Sequence, residues 1–291
     1  MRVKVEQYDA FSEVAGKGNP AGIILNGDAY TEEQMQTIAR LVGYNECCFV
    51  CSSRVAELRL RYFTPGHETG LCGHATIGAI AAWIRNNAIE QDVTLAVETA
   101  VGSIEVCYRH AIKEIMMQQA NAKFLPFEGN IDKLMETIGL PRDAYMEGYP
   151  VCYGWTGSWT LLVPIKSLDY FLIMKPKNKR FPEVLQQNER ASVHPITFTC
   201  YDKKHTMHGR HFSSPFSGTV EDSVTGTASG VMGAYYLNYV KEAEEIDILI
   251  EQGNEIQKEG TVRVVAQRDS GEVAVKIFGR AVYNETFYIE I

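Results

Sequence analysis

The sequence has no surplus of basic residues: 28 Lys and Arg stand against 36 Asp and Glu, a net charge of −8. Nucleic acid is therefore not an expected partner, because phosphate binding wants a basic face. No apolar run is long enough to span a bilayer, so no membrane partner is expected either. The opening residues Met1-Arg2-Val3-Lys4-Val5 alternate like a strand and lack the apolar core of an export signal. Seven cysteines is an odd count without paired spacing, which points to reduced thiols in a cytoplasmic protein and to no disulfide. Cofactor motifs are also missing. The Gly16-Lys17-Gly18-Asn19-Pro20-Ala21-Gly22 segment lacks the Lys-Ser/Thr pair of a phosphate loop and reads as a turn, and no Gly-x-Gly-x-x-Gly follows a strand. Cys48-Phe49-Val50-Cys51 has the spacing of half a zinc site but no second half, so no metal is expected there. His205, His208 and His211 recur every third residue, yet Gly209 and the following Ser and Pro weaken a helix; a polar strand leading to Asp222 is the expectation.

What is present is a pattern that occurs twice. Cys72-Gly73-His74-Ala75-Thr76 runs into Ala81-Ala82-Trp83-Ile84, and Thr225-Gly226-Thr227-Ala228-Ser229 runs into Ala234-Tyr235-Tyr236-Leu237. Each reads as a loop entering a helix, whose first N–H groups are unpaired and carry partial positive charge. Two such starts facing one another would clamp an anion, which predicts a duplicated protein with a carboxylate-binding cleft. Both helices are apolar nearly all round and must be enclosed. Period-two strands are expected at Val3–Tyr8, Glu57–Phe63, Val93–Glu98, Ser103–Tyr108 and Thr261–Ala266. Thr31-Glu32-Glu33-Gln34 looks like a capping box for a helix to about Val42, and Asn130–Ile138 reads as a helix stopped by Gly139 and Pro141. A length of 291 residues suits about two domains. The repeat spacing puts the boundary near residues 117–122, giving lobes 1–117 and 118–279. The last strand, Glu285–Ile291, suits either lobe, so residues 280–291 are candidates to complete the first.

Few side chains could do chemistry. Glu46 heads an apolar run just past a helix, where partial desolvation suits a carboxylate to proton transfer near neutral pH. Taken alone, that segment is better explained by a solvated loop glutamate. His74 lies inside a helix start, whose dipole favours a neutral imidazole; a hydrogen-bonded structural histidine is the alternative. Asp222 precedes the other helix, and its simplest role is a cap, although it could also hold a substrate amine. Cys72 sits where a thiol is activated, but its repeat partner is Thr225, so no pair of thiols can form.

Several of these segments in order resemble the phenazine-biosynthesis isomerase-like family, relatives of diaminopimelate epimerase and proline racemase. They are Tyr8-Asp9-Ala10-Phe11 with Gly18-Asn19-Pro20-Ala21, Asn45-Glu46-Cys47, Phe63-Thr64-Pro65, Leu71 to Thr76, and Glu221 to Ala228. The resemblance implies an α+β fold of two similar lobes, each a barrel-like sheet around a central helix, with the active site between them. It implies an isomerase without cofactor or metal, in which the position of Glu46 is the general acid/base, aided by those of His74 and Asp222. The family often has Ser-Glu-Thr around that glutamate, Asp-Pro where this chain has Asp222-Ser223, and serine at Thr227. Past Gln252-Gly253 it usually has Arg-Pro, where this chain has Lys258-Glu259-Gly260. The reading is an isomerase moving a proton along a small amino- or hydroxy-substituted carboxylate. The Gly73, His74, Gly226 and Thr227 amides would hold that carboxylate. A racemase or epimerase with Cys72 as base, and a non-catalytic binding protein, are the rivals. A homodimer is the expected assembly.

Overall fold

Period-two alternation and helix capping settle most elements in the computed structural model, which describes residues 1–217 and 219–291. The chain begins with β1 (Arg2–Ala10), β2 (Asn19–Ile24), α1 (Glu32–Val42), β3 (Glu46–Cys51), β4 (Leu58–Phe63) and β5 (Glu68–Thr69). Then come α2 (Gly73–Asn86), β6 (Val93–Thr99), β7 (Gly102–Arg109) and β8 (Glu114–Gln118). A second set follows: β9 (Lys123–Pro126), α3 (Ile131–Ile138), β10 (Cys152–Trp155), β11 (Trp159–Pro164), α4 (Leu168–Ile173), α5 (Phe181–Val184) and β12 (Ser192–Thr197). It continues through β13 (Met207–Gly209), β14 (His211–Phe212), β15 (Glu221–Asp222), α6 (Gly226–Tyr239), β16 (Glu245–Gln252), β17 (Gly260–Asp269) and β18 (Glu272–Gly279), before the final β19 (Ala281–Glu290). Two compact units result, Met1–Gln118 with Phe278–Ile291, and Gln119–Ile277.

Within the first unit, β1–β2 is antiparallel, β2–β3 parallel, β3–β4 antiparallel, β4–β6 parallel and β6–β7 antiparallel. The second unit repeats that series: β10–β11 antiparallel, β11–β12 parallel, β12–β13 antiparallel, β13–β16 parallel and β16–β17 antiparallel. The flanking strands agree as well. β19 adds to β1 antiparallel as β9 adds to β10. Each unit is thus a mixed sheet holding one long apolar helix.

In the first unit α2 packs on β1, β2 and β3, and Gly73–Ile80 is buried on all sides. A side chain at Gly78 would bring its Cβ to 3.3 Å from the Tyr8 Cβ, so the missing side chain allows the helix to lie close on the sheet. The opposite face takes α1, whose Met35, Ile38 and Ala39 join Val3, Val5, Cys47, Phe49 and Cys51. That helix opens on the expected capping box, with Thr31 N donating to Gln34 Oε1 at 2.9 Å, and ends at Gly43 in the left-handed region (φ 73). In the second unit α6 packs on β17, β16 and β10, and a Cβ at Gly233 would collide with Val264. The other face is covered by α3, α4 and α5 through Leu134, Ile138, Phe171 and Phe181. The two short helices α4 and α5 were not expected from the sequence.

Candidate active site

Strand alternation decides where Glu46 points. Successive side chains on β3 go to opposite faces. Cys47, Phe49 and Cys51 pack with α1, which turns Glu46, the first residue of the strand, towards the face of α2. There its Oε2 lies 3.2 Å from His74 Nε2; the glutamate side chain is 20% exposed and the histidine 6%. His74 is the second residue of α2, and the helix cap before it is Cys72 in extended conformation. Cys72 Sγ is 3.3 Å from the other ring nitrogen, Nδ1. One carboxylate, one thiol and one imidazole therefore sit together, with donor atoms within 4.8 Å of one another. The imidazole stands between the other two, with Glu46 at Nε2 and Cys72 nearer Nδ1.

The helix start is fixed from the neighbouring strand. Thr76 Oγ1 donates to the Cys72 carbonyl at 2.7 Å, and the Tyr62 hydroxyl, on β4, donates to that Oγ1 at 2.7 Å. Thr76 and Tyr62 were not singled out in the sequence, although Thr76 falls inside the repeated pattern. The other thiols of β3 are poor proton carriers. Burial pushes Cys47 and Cys48 far up, with the Glu46 charge adding to it at Cys47, and holds Cys51 at about 11. None of the seven cysteines is in a disulfide.

Asp222, Gly226 and Thr227 lie in the second unit, around the start of α6. Asp222 belongs to β15, paired opposite His211. Its Oδ2 accepts a 2.5 Å hydrogen bond from the Thr225 hydroxyl. Gln252, at the end of β16, ties the same loop. Its Nε2 donates to the Asp222 carbonyl at 2.8 Å, and its Oε1 accepts from Thr225 N at 3.2 Å. Thr227 offers its carbonyl to Thr156 Oγ1 at 3.0 Å. Gln252 served in the sequence only as a motif marker; its position at a strand end before Gly253 was the available signal.

The histidine run differs from the polar strand expected of it. His208 and His211 occupy two short strands, His205 lies in the loop before them, and all three point inward. His208 is sealed between Glu251 Oε1 (3.2 Å) and Glu255 Oε1 (3.0 Å), while His205 Nδ1 is 3.0 Å from Glu251 Oε2. His211 faces His194, Nδ1 to Nδ1 at 3.1 Å. Burial lowers both His194 and His211. A parallel pairing of β13 with β16 creates this arrangement, and no local pattern announces it.

The family profile described as "Phenazine biosynthesis-like protein" matches residues 8–286. The chain belongs to this family. Among phenazine biosynthesis-like relatives, the uncharacterized isomerase YfhB of Bacillus subtilis is 46% identical over 290 residues and 99% of each chain. The uncharacterized isomerase YddE of Salmonella typhimurium is 31% identical over 97% of this chain and 96% of its own. The Bacillus anthracis phenazine biosynthesis protein of the PhzF family superposes with a TM-score of 0.96 at 45% identity, covering 100% of both chains. A hydroxyproline epimerase from Agrobacterium vitis shares the fold alone, with a TM-score of 0.61 at 12% identity over 99% of this chain and 92% of that one. The chain is an isomerase of the phenazine biosynthesis-like family, and its fold is that of the diaminopimelate epimerase-like proteins. Among the described residues no helix is long and apolar enough to cross a membrane.

Proposed function

We propose that this isomerase shifts a proton on a small amino- or hydroxy-substituted carboxylate without a cofactor, with Glu46 as general acid/base. The observation that carries the reading is the 3.2 Å approach of Glu46 Oε2 to His74 Nε2 at the first turn of a buried helix. The Gly73 and His74 amides bind the substrate carboxylate, because a helix start offers unpaired donors to an anion. Glu46 takes a proton from one carbon, and the electron pair left behind delocalises towards the bound carboxylate and its neighbouring unsaturation. The resulting glutamic acid, whose proton exchanges with water, returns a proton to another carbon. The cycle is redox-neutral and closes on one side chain, so no electron carrier is required. His74 steadies the charge of Glu46. Asp222, Gly226 and Thr227 are assigned the complementary hold on the carboxylate and its amino or hydroxy neighbour.

A second reading has its own support. Cys72 Sγ lies 3.3 Å from His74 Nδ1, the arrangement in which an imidazole activates a thiol as a base. Screening amino and hydroxy acids for deuterium uptake from heavy water separates the readings. Loss of uptake in Glu46→Gln with retention in Cys72→Ser supports the glutamate. The reverse pattern hands the role to the thiol, and binding without uptake of any acid would make the chain a binding protein.

A further inference from the structure

We propose that His211 selects an amino-substituted substrate: its Nε2 is held as a bare hydrogen-bond acceptor beside Asp222 and receives a hydrogen of the substrate's ammonium group. This role rests on the reading of the chain as an isomerase of a small substituted carboxylate, and it narrows that substrate class from amino or hydroxy to amino.

The tautomers follow from a line of contacts that ends on sulfur. His194, on β12, is fully buried, and its Nε2 lies 3.1 Å from Met232 Sδ on α6. A thioether has no hydrogen to give and can only accept, so His194 Nε2 bears a ring hydrogen. Gly209 makes room for this contact, since a Cβ there would stand 2.5 Å from the same nitrogen. Burial keeps His194 from taking a second hydrogen, and His211 and His208 act in the same direction. Its Nδ1 is therefore an acceptor. His211 Nδ1, 3.1 Å away, must supply the hydrogen between the two rings. Burial likewise lowers His211, against the opposing pull of the Asp222 charge, and so keeps that ring neutral. With its one hydrogen on Nδ1, His211 is left with a lone pair on Nε2.

That lone pair has no partner among the described residues and is not sealed from solvent. His211 and Asp222 are both only partly buried. They stand opposite each other on antiparallel β14 and β15, so their side chains share a face. Asp222 is in turn bonded to the Thr225 hydroxyl at the cap of α6. An acceptor nitrogen beside a carboxylate calls for more than one hydrogen and for positive charge. An ammonium group brings three hydrogens and the charge. A hydroxyl has one hydrogen and can satisfy only one of the two acceptors.

The test reads the tautomers first. In protein labelled with ¹⁵N-histidine at pH 7, His194→Gln and His211→Gln assign the ring signals. Two-bond nitrogen–proton spectra should then show His211 protonated at Nδ1 only and His194 at Nε2 only. A doubly protonated His211, or one with its hydrogen on Nε2, overturns the proposal. Titration with matched α-amino and 2-hydroxy acids of the same carbon skeleton reads recognition. The amino acids should shift the His211 Nε2 signal and bind more tightly than their hydroxy partners. His211→Asn keeps an amide N–H for His194 but ends short of the Nε2 position. It should cost the amino acids about tenfold or more in affinity and leave the hydroxy acids little changed. His211→Gln, whose amide oxygen reaches further, should restore part of that loss. No shift with any acid, or a folded His211→Asn with equal losses for both kinds or none, overturns the recognition. Amino acids that shift His211 without taking up deuterium support the recognition and remove the isomerase reading. Deuterium uptake with no shift at His211 keeps that reading and overturns this one.

Discussion

The starts of α2 and α6 share a backbone and differ in side chains. Both helices run for 14 residues, and both caps are extended without a capping side chain, at φ −141, ψ 119 for Cys72 and φ −115, ψ 103 for Thr225. Around the first start stand a thiol, an imidazole and a carboxylate with their donor atoms drawn together. Around the second, Asp222 already accepts from the Thr225 hydroxyl, and the Gln252 amide bridges both residues. Duplication has kept the amide-lined helix start twice and left the cluster of titratable groups at one copy only. The shared part suits binding of an anion, and the unshared part suits movement of a proton.

The largest test of that contrast is Glu46→Gln. The amide keeps the size of the side chain but carries no exchangeable acid proton, so deuterium exchange should fall by about 10⁴-fold, the upper end for a general acid–base group, while calorimetric affinity for the same acid persists. A loss of affinity instead would make Glu46 a binding residue and erase the distinction.

Next in size is Glu251→Gln, in the second unit on the strand that also carries Gln252. It removes a charge sealed against His205 and His208 and should cost roughly 3–5 kcal/mol in urea unfolding, as for one partner lost from a buried pair. The pH dependence has a defined sign. Burial opposes a charged His208, but the Glu251 and Glu255 carboxylates beside its two ring nitrogens outweigh it and raise the group above its ordinary 6.5. Its contribution is complete below that value and fades as pH climbs through the raised one. Burial likewise opposes a charged Glu251, yet the His205 and His208 rings beside it and hydrogen bonds from two backbone amides bring it from 4.5 down to about 2. That contribution is complete above 4.5 and is lost as pH falls towards 2. Wild type should therefore lose stability on both sides of this window more steeply than Glu251→Gln, as unfolding midpoints across pH would show.

Gln252→Ala should be smaller. It leaves Thr225 N–H and the Asp222 carbonyl without their amide partner, a cost of about 1–3 kcal/mol. A displaced loop should also slow exchange by up to about 10²-fold. Smallest is Cys72→Ser, expected to lower exchange by less than about tenfold, below the range of a group that itself transfers the proton. A loss as large as that of Glu46→Gln would reverse the comparison and make the thiol the base.

Much of this was legible in the sequence because its causes are local. The Thr31–Gln34 capping box, the Gly139 stop and the period-two strands depend on neighbouring residues, and each formed where the pattern put it. The enclosed helices were readable from their lack of a polar face. The contact between Glu46 and His74 follows from alternation once α1 claims Cys47 and Phe49, but which face α1 takes is a tertiary fact. What stayed hidden was non-local. Glu251 and Glu255 lie more than 40 positions from the histidines beside them, and a parallel pairing supplies the contact. The helices α4 and α5 are too short to show a period, and Pro182 in the first turn of α5 looks like a breaker.

The pairing of β1 with β19 also orders events in time. Arg2 sits opposite Glu290, so β1 receives one of its neighbours only from a strand made after all of β2 to β18. The second unit is contiguous and can close while synthesis continues, whereas the unit bearing Glu46 and His74 must hold one flank of β1 unsatisfied throughout. Contacts of such separation are the slow ones in folding, and an unpaired flank is where a nascent chain meets its neighbours. Hydrogen exchange during refolding should show β9–β10 amides protected before those shared by β1 and β19. The half of the molecule that carries the titratable cluster is thus the last to become whole.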